Sequence, residues 1–316
     1  MVLPAAALLL LNEYLRLRSS VGRDASLKGS SLLPVFPTRF NRRRFLIQSS
    51  ALSAVALLPM ESMRLAAQAS LPSETQVDPV KINEIAAKIP FPDTILKFNP
   101  DGTRRPFAGN TVICHLPVQS AMRDAMKGLH DKLASASYFP KLGLTSLDSY
   151  HMTIFPGAND QNRSASGWPS YVPADAPIEV CSRMVGERMV KAHLSCELPL
   201  RVRIDEQATL LNPTACTLRM IPVDEAENRK LRSVRDQLSE IYGFRLKDHD
   251  QYGFHITMSY QIAPFTIQEQ TTYRSVLKEQ VRQIIAVAPV LELGNPEYCT
   301  FPDMFRFEPQ KLLRCS

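Results

Sequence analysis

Two short segments each place a histidine and a threonine two residues apart within an apolar run. The first, SYHMTIFPG at residues 149–157, contains His151 and Thr153. The second, YGFHITMSY at residues 252–260, contains His255 and Thr257. Imidazoles titrate near neutral pH and can take or give a proton, and hydroxyls can hydrogen-bond to anionic oxygens. Together the segments contain what is needed to open a phosphodiester, and this chemistry calls for no metal and no cofactor.

Strand alternation determines which side chains of each segment share a face. Residues two apart on a β-strand point the same way. We therefore expect Phe155 to follow the face of His151 and Thr153, and Ser259 to follow the face of His255 and Thr257. The residues between them, and Tyr260, are expected to point into the core.

The two histidines occupy equivalent places in an internal repeat. A strand rich in β-branched residues at 110–116 precedes a helix with apolar residues at helical spacing, and a loop leads to His151. The same order recurs from residue 214 to His255, and the junctions read LPVQ and IPVD. Pro117 and Pro222 are predicted to open the two helices. The pattern indicates a duplicated strand–helix–strand unit.

Further elements complete an α+β chain. Strands are predicted at 199–206, 289–293, 297–301 and 305–308, and an amphipathic helix is predicted at 265–287. Residues 157–177 are polar and indicate a long loop. The predicted fold is bilobal, with two mostly antiparallel sheets flanking a central cleft.

The first 69 residues have the composition of an export leader. Arg42, Arg43 and Arg44 precede a short apolar run that ends in an A-x-A site at residues 67–69. This layout predicts a twin-arginine signal cleaved after Ala69, export to the periplasm by the twin-arginine machinery, and a mature domain at 70–316. A membrane anchor or a basic surface helix is the alternative, although the apolar run is shorter than the roughly 20 residues that span a bilayer.

The positive charge of the chain resides in that leader. The whole sequence has 37 basic and 31 acidic residues, of which residues 1–69 hold nine and three. Subtraction leaves 28 of each, so the predicted mature domain has no net charge. A protein that follows long nucleic acid carries a basic excess, so the charge balance argues against such a partner, while a local basic patch is still compatible with it.

The paired motifs resemble those of the two-histidine (2H) phosphoesterase superfamily, in which two H-x-[ST] motifs lie about a hundred residues apart in a duplicated fold. His151-Met152-Thr153 and His255-Ile256-Thr257 match both motifs. The segment FNPDGTRRPFAGNTVICHLP at residues 98–117 further resembles a bacterial and fungal branch long catalogued as a domain of unknown function. The resemblance extends over residues 80–307.

That resemblance implies hydrolysis or transesterification of 2′,5′ or 2′,3′-cyclic phosphate bonds in small nucleotides or RNA ends. RNA end processing fits poorly with export and with a mature domain that has no net charge, so we expect a small nucleotide or other small phosphodiester as the substrate. It implies that the histidine of the second motif, His255, is the base and that His151 is the acid. The sequence alone leaves two alternatives open. The same cleft could bind a phosphorylated ligand without chemistry, or both histidines could be core residues of structural strands.

Several further residues are weaker candidates. His193-Leu194-Ser195 also fits H-x-[ST], but it lies near the end of a predicted helix, and we expect no function from it. Phe155 could stack on a base or pack in the core. Arg219 could pair with phosphate or be an ordinary solvated residue. Tyr150 and Tyr260 are expected in core or hinge positions.

The six cysteines all follow residue 69. Their spacing shows no zinc-binding pattern. Six cysteines allow 15 complete pairings, and buried free thiols are equally compatible with the sequence.

Overall fold

Two four-stranded antiparallel sheets each contain one of the two motifs. The computed structural model describes residues 89–211 and 215–315, all within one compact unit. Its strands are β1 (Gly109–His115), β2 (Leu142–Leu144), β3 (His151–Asn159), β4 (Leu200–Ile204), β5 (Thr217–Pro222), β6 (His255–Thr257), β7 (Ser259–Gln261), β8 (Leu291–Leu293), β9 (Glu297–Asp303) and β10 (Arg306–Leu312). One sheet has the order β10-β9-β1-β3 and the other β6-β5-β4-β8, while β2 and β7 form a separate pair.

Six α-helices pack on these sheets within the described residues. They are α1 (Pro92–Lys97), α2 (Ala121–Ala134), α3 (Ile178–Lys191), α4 (Glu206–Leu211), α5 (Glu225–Tyr242) and α6 (Ile267–Val287). Helix α3 packs on the first sheet, and α5 contacts β3 as well as β4 and β5 of the second. The α+β class and the two-sheet architecture predicted from the sequence are confirmed.

The predicted repeat corresponds to β1-α2-β3 and β5-α5-β6. In each unit the motif strand pairs antiparallel with the first strand of the unit and forms the edge of its sheet. His151 lies opposite His115 on β1, and His255 lies opposite Arg219 on β5. The two edge strands β3 and β6 run close to each other, with Cα atoms of the two strands within 8 Å. The topology therefore brings the two motifs to one place.

Both helices of the repeat begin a few residues after the prolines at which the sequence predicted them to start. Helix α2 starts at Ala121, where the Ser120 hydroxyl accepts a hydrogen bond from the Arg123 N–H. Helix α5 starts at Glu225, where the Asp224 carboxylate accepts one from the Glu227 N–H, and Pro222 is the last residue of β5. The side chains of Ser120 and Asp224 accept hydrogen bonds from free N–H groups in the first turn of each helix, which a proline side chain cannot do. These caps therefore determine where both helices begin.

A second, smaller apolar cluster lies apart from the main core. The main core contains the buried faces of α2, α3, α5 and α6 together with the inward residues of both four-stranded sheets. The smaller cluster consists of aromatic and aliphatic side chains of the α1–β1 segment, β9, the turn after β9 and the residue that follows β7, namely Phe98, Phe107, Phe301, Met304 and Ile262. The pair β2–β7, which the sequence did not predict, holds β7 beside this cluster. Each of its strands has only three residues, too few to show a periodic pattern.

One disulfide joins the carboxyl-terminal segment to the loop after α3. It links Cys196 and Cys315 across a sequence separation of 119 residues. The remaining four cysteines, which are Cys114, Cys181, Cys216 and Cys299, are free and buried. The twin-arginine leader and its cleavage site lie outside the described residues. Among the helices that are described, none combines the length and the apolar character needed to cross a bilayer.

A buried arginine on α5 connects the two motif regions. Arg235 is fully buried, and its Nη1 donates a hydrogen bond of 2.6 Å to the carbonyl oxygen of Ile154 in β3. Its Nη2 donates at 3.3 Å to the carbonyl oxygen of His249, in the segment that leads to β6. The guanidinium carbon lies 4.0 Å from the ring centroid of Tyr252. One side chain thereby fixes the backbone beside both motifs.

We predict that Arg235→Met lowers the free energy of unfolding by about 2–4 kcal/mol, because two buried carbonyl oxygens lose a charged donor. Urea denaturation measures the change. Arg229→Met on the same helix is the matched control, since Arg229 is exposed and forms an ion pair with the exposed Glu225. It should change stability by less than about 0.5 kcal/mol. Equal stability of the two variants would contradict the role given to Arg235.

Candidate active site

The four motif side chains line one cleft with a volume of about 340 Å³. His151 and Thr153 come from β3, and His255 and Thr257 come from β6. All four are half-buried, while the intervening Met152 and Ile256 are fully buried in the core. Alternation along each strand, with an apolar residue anchoring the opposite face, orients the imidazole and the hydroxyl together.

Both histidines are held in the same way by the backbone. The Nδ1 of His151 lies 2.6 Å from the carbonyl oxygen of Ser149, and the Nδ1 of His255 lies 2.9 Å from the carbonyl oxygen of Gly253. A carbonyl oxygen only accepts, so each Nδ1 donates its proton. In the neutral ring this leaves the lone pair on Nε2. Each motif thus presents a nitrogen that can accept a proton.

Burial lowers the pKa of both imidazoles. The pKa of His151 falls from 6.5 to about 4, chiefly through burial, with further lowering by His115 and His255 and an opposing effect of the Ser149 hydrogen bond. Burial also lowers the pKa of His255 from 6.5, with the charges of Arg219 and Lys97 acting in the same direction and the Gly253 hydrogen bond opposing them. Both rings are therefore neutral near pH 7.

A bulge follows the first motif and turns Phe155 away from the cleft. Ile113 pairs with Thr153 and the adjacent Val112 with Phe155, so Ile154 is an extra residue in β3. Ile154 and Phe155 are consequently both fully buried. Phe155 stacks on Tyr242, with ring centroids 4.9 Å apart. The expectation that Phe155 shares the face of His151 is wrong, and the side chain packs in the core rather than binding a base.

A second irregularity follows the other motif. The N–H groups of Met258 and Ser259 both donate to the carbonyl oxygen of Cys216. The segment after β6 then no longer pairs with β5 but forms β7, which pairs with β2. This irregularity shifts the alternation of side chains between the two strand faces by one residue after Thr257. Ser259 is therefore buried and does not share the face of His255. Tyr260 lines the cleft rather than the core, contrary to the prediction, whereas Tyr150 is buried as predicted.

Arg219 lies beside the second motif without lining the cleft. It is directly opposite His255 on β5, so the two side chains are on the same face. After burial, its charge contributes to the lowered pKa of His255. The structure thus places Arg219 within electrostatic reach of His255.

The cleft contains a lysine that the sequence analysis did not find. Lys97, at the end of α1, has its Nζ 2.6 Å from the Asp93 carboxylate and 5.0 Å from the ring centroid of Tyr260. Burial acts to lower the pKa of Lys97, but the charges of Tyr260 and Asp93 outweigh it, so that this pKa is raised. Among the described residues that line the cleft, Lys97 is the only lysine or arginine. Lys97 comes from a short helix outside the repeat, so the motif and repeat patterns in the sequence did not predict its place in the cleft.

Tyr252 and an aromatic wall complete the cleft. Burial raises the pKa of Tyr252 to about 12, while a side-chain hydrogen bond with Thr153 opposes this effect. This hydrogen bond links Thr153 of the first motif to the segment that precedes the second motif. The wall consists of residues of the smaller apolar cluster and its neighbours, namely Phe107, Tyr260, Phe301, Met304 and Phe307.

The remaining histidines lie elsewhere. His193 lies after the end of α3 and does not line the cleft, which agrees with the expectation that its H-x-[ST] sequence forms no site. His115 bonds through Nδ1 to the Glu297 carboxylate at 2.7 Å, and His130 bonds to the Tyr150 hydroxyl at 2.8 Å. His249 bonds through Nε2 to Asp236 at 2.9 Å.

Within residues 89–211 and 215–315, two side-chain groups bring three possible metal-ligating atoms within 4.8 Å of one another. They are His115 with Glu297 and Cys299, and Asp236 with His249 and Asp250. In each group one histidine nitrogen is already hydrogen-bonded to a carboxylate. Burial raises the pKa of the Cys299 thiol well above its ordinary value, which disfavours the thiolate that a metal needs. We assign no metal site to either group.

The geometry of the cleft suits a small anion with tetrahedral oxygens. Two imidazoles can exchange protons through Nε2, and two hydroxyls and one ammonium group can bind anionic oxygens. The apolar wall beside them suits an attached ring or chain.

Comparison with known proteins agrees with this geometry. Residues 97–211 match the model of a family described as 2H-phosphodiest, a domain of unknown function (DUF1868). The family resemblance stated from the sequence is thereby confirmed over these residues, and it supports a phosphoesterase-type function. The matched range contains the first motif and ends before the second. The convergence of the two motifs is therefore a separate observation from the structure.

Two solved structures are similar to the chain. A conserved protein of unknown function from Agrobacterium tumefaciens strain C58 has 27% sequence identity and a TM-score of 0.62, covering 68% of this chain and 90% of its own. A protein from Thermus thermophilus has 13% identity and a TM-score of 0.29, covering 60% of this chain and 86% of its own. None of the curated proteins matches the sequence.

We predict that His151→Gln stabilises the protein more at pH 5 than at pH 8. The folded protein holds His151 neutral down to about pH 4, whereas the unfolded chain protonates it near 6.5. Stability from the neutral ring is therefore lost as the pH falls below 6.5. The difference between the effects at the two pH values should be about 1–2 kcal/mol in urea denaturation.

His193→Gln, outside the cleft, is the control for this measurement and should show no such difference. If His151→Gln changes the free energy of unfolding equally at both pH values, the burial of a neutral His151 is contradicted.

Proposed function

We propose that this protein is a phosphodiesterase that opens the 2′,3′-cyclic or 2′,5′ phosphodiester of a small nucleotide without a metal ion. One observation carries the proposal. Two equivalent strands present an imidazole with its Nδ1 bonded to a backbone carbonyl, each beside a threonine hydroxyl, on the same cleft. Preorganised groups of this kind accelerate a reaction because they need no rearrangement in the transition state.

The reaction needs one histidine neutral and the other protonated. The neutral ring takes a proton from water at its Nε2 while the water oxygen forms a bond to phosphorus. The bond from phosphorus to the leaving oxygen breaks, and the protonated ring gives its proton to that oxygen. The product is a phosphomonoester, and the two rings have exchanged protonation states. A proton transfer through solvent restores them.

The hydroxyls and Lys97 stabilise the phosphate during this step. Thr153 and Thr257 lie two residues from the two imidazoles on the cleft side, so their hydroxyls can donate to the non-bridging oxygens. The protonated histidine carries one positive charge, and the Lys97 ammonium group, which pairs with the Asp93 carboxylate, is a second cation beside the phosphate. Its effect on the pKa of His255 places it within electrostatic reach of that end of the cleft.

The cleft dimensions support a small substrate. A volume of about 340 Å³ is at the low end for small-molecule sites. The aromatic wall can contact a base beside the reacting phosphate. A predicted mature domain without net charge lacks the basic surface that long nucleic acid requires.

We predict that His151→Ala and His255→Ala each lower turnover of a 2′,3′-cyclic mononucleotide by at least about 100-fold, since each removes a proton-transfer group. Turnover of the wild-type protein should persist in EDTA. Product analysis by chromatography measures it, and thermal unfolding checks that the variants are folded. His193→Ala is the matched control and should retain wild-type turnover.

Binding of the nucleotide without any product, by calorimetry and chromatography together, would instead support the binding-module alternative. The dependence of kcat/KM on pH should be bell-shaped, with both limbs below 6.5, because the pKa of each histidine is lowered. This profile is the same whichever histidine is the base, since only the singly protonated pair reacts.

We further propose that the protein works in the periplasm after twin-arginine export. The paired arginines and the A-x-A site of the leader support this, and the Cys196–Cys315 disulfide suits an oxidising compartment. Fractionation of cells that produce the full chain should recover it in the periplasm, with Ser70 as its first residue. Replacement of Arg43 and Arg44 by lysine should leave it in the cytoplasm, and an unchanged distribution would contradict the proposal.

A further inference from the structure

The face of the second sheet that carries His255 continues across two further strands. Arg219 on β5 lies directly opposite His255, and Ile221 lies two residues further along β5. Arg203 on β4 lies directly opposite Ile221. Directly paired residues share a face, and so do residues two apart on one strand. Arg219 and Arg203 therefore lie on the face of the second motif, one and two strands away from His255.

This face is accessible to solvent, whereas the opposite face of the same strands is buried. Arg203 is exposed and Arg219 is half-buried. The alternate residues of β4 and β5 pack in the main core with at most 4% exposure, namely Val202, Ile204, Leu218 and Met220. The two arginine side chains are therefore on the solvent side of the sheet, next to the cleft that His255 lines.

The acidic groups near the two arginines are bonded elsewhere or lie farther from the cleft. The Asp205 carboxylate follows β4 and accepts a hydrogen bond of 3.0 Å from the Ala208 N–H at the start of α4. Glu292 on β8 lies opposite Arg201, one strand beyond Arg203. Neither carboxylate forms an ion pair with the two arginines.

Arg219 and Arg203 thus differ from the other arginine of these strands. Within residues 89–211 and 215–315, neither of them takes part in an ion pair. Arg201, by contrast, pairs with Glu227 at 3.0 Å. Cations without a carboxylate partner attract anions to the surface beside them. This local positive charge is compatible with a predicted mature domain that has no net charge.

We propose that Arg219 and Arg203 form a subsite for a second phosphate, so that the substrate is a nucleotide with one phosphate besides the phosphodiester that is opened. This inference rests on the proposed function. A guanidinium binds phosphate through two parallel hydrogen bonds. Neighbouring strands lie about 4.8 Å apart, so the two arginines begin roughly 5 and 10 Å from the strand of His255. One nucleotide can span such a distance while its reacting phosphate lies at the histidines.

The base and the second phosphate would then contact different walls of the site. Phe301 and Phe307 of the aromatic wall belong to the first sheet, whereas Arg219 and Arg203 belong to the second. A base on the aromatic wall therefore does not compete with a phosphate on the arginines.

The second phosphate has two possible sources, which three substrates distinguish. The first substrate is a 2′,3′-cyclic mononucleotide with a free 5′-hydroxyl, and the second is the same compound with a 5′-phosphate. The third is a dinucleotide that ends in a 2′,3′-cyclic phosphate, so its further phosphate is a diester. We expect kcat/KM to be at least about tenfold higher for the second or the third than for the first. The better of the two identifies the source, and equal values for all three overturn the subsite.

Substitution of the arginines tests whether they cause the preference. Arg203→Gln and Arg219→Gln should each reduce it by at least about fivefold. The ratio between substrates is the readout, because loss of Arg219 opposite His255 can change turnover of every substrate alike. Arg229→Gln removes an exposed arginine from α5 and is the matched control for total charge. It should keep the preference, and an unchanged preference in both folded subsite variants overturns the proposal.

A binding experiment decides the subsite even without turnover. A nucleoside 3′-monophosphate and its 3′,5′-bisphosphate contain no phosphodiester to open, and calorimetry compares their affinities. The wild-type protein should bind the bisphosphate at least about tenfold more tightly. Arg203→Gln should lose this difference and Arg229→Gln should keep it. Absence of turnover on every substrate overturns the proposed function, whereas equal affinity of the wild-type protein for the two ligands overturns the subsite.

Discussion

The position of both motifs depends on one buried guanidinium. Arg235 reaches from α5 to the carbonyl oxygen of Ile154, directly after the first motif, and to that of His249, before the second. Burial lowers its pKa to about 10, which still leaves it charged at neutral pH. A charge in such a place is stable only because it has these acceptors and the face of Tyr252. It also joins parts of the chain that belong to different repeat units, so the distance between the two motif imidazoles depends on it.

The sequence was sufficient to predict the paired motifs and the fold, because both follow from short-range patterns. Two histidines at equivalent places of a repeat must come together when the repeat units pack, and strand alternation correctly orients the residues up to each threonine. It fails two residues after each threonine, at Phe155 and Ser259. The bulge at Ile154 and the shared acceptor at Cys216 are determined by pairing with distant strands, and nothing in the local pattern shows them. Phe155 and Tyr260 were accordingly misplaced. Lys97 lies outside the repeat and reaches the cleft only through tertiary packing.

The enclosure of the cleft has a cost in stability. A neutral, enclosed imidazole such as that of His151 resists protonation. The same enclosure destabilises the folded state in acid. The two halves of the repeat carry the same histidine–threonine pair and differ in the residue opposite each histidine, which is His115 in one half and Arg219 in the other.

The hydrogen bonds between the backbone carbonyls and the two histidines, called clamps below, have a consequence for recognising related chains. Each clamp uses the carbonyl oxygen of the residue two positions before the histidine, a serine in one motif and a glycine in the other. A carbonyl is present whatever the side chain, so the tautomer of each histidine does not depend on which residue occupies these two positions. A search pattern that demands particular residues there would discard true relatives, and one that demands the strand geometry would find them.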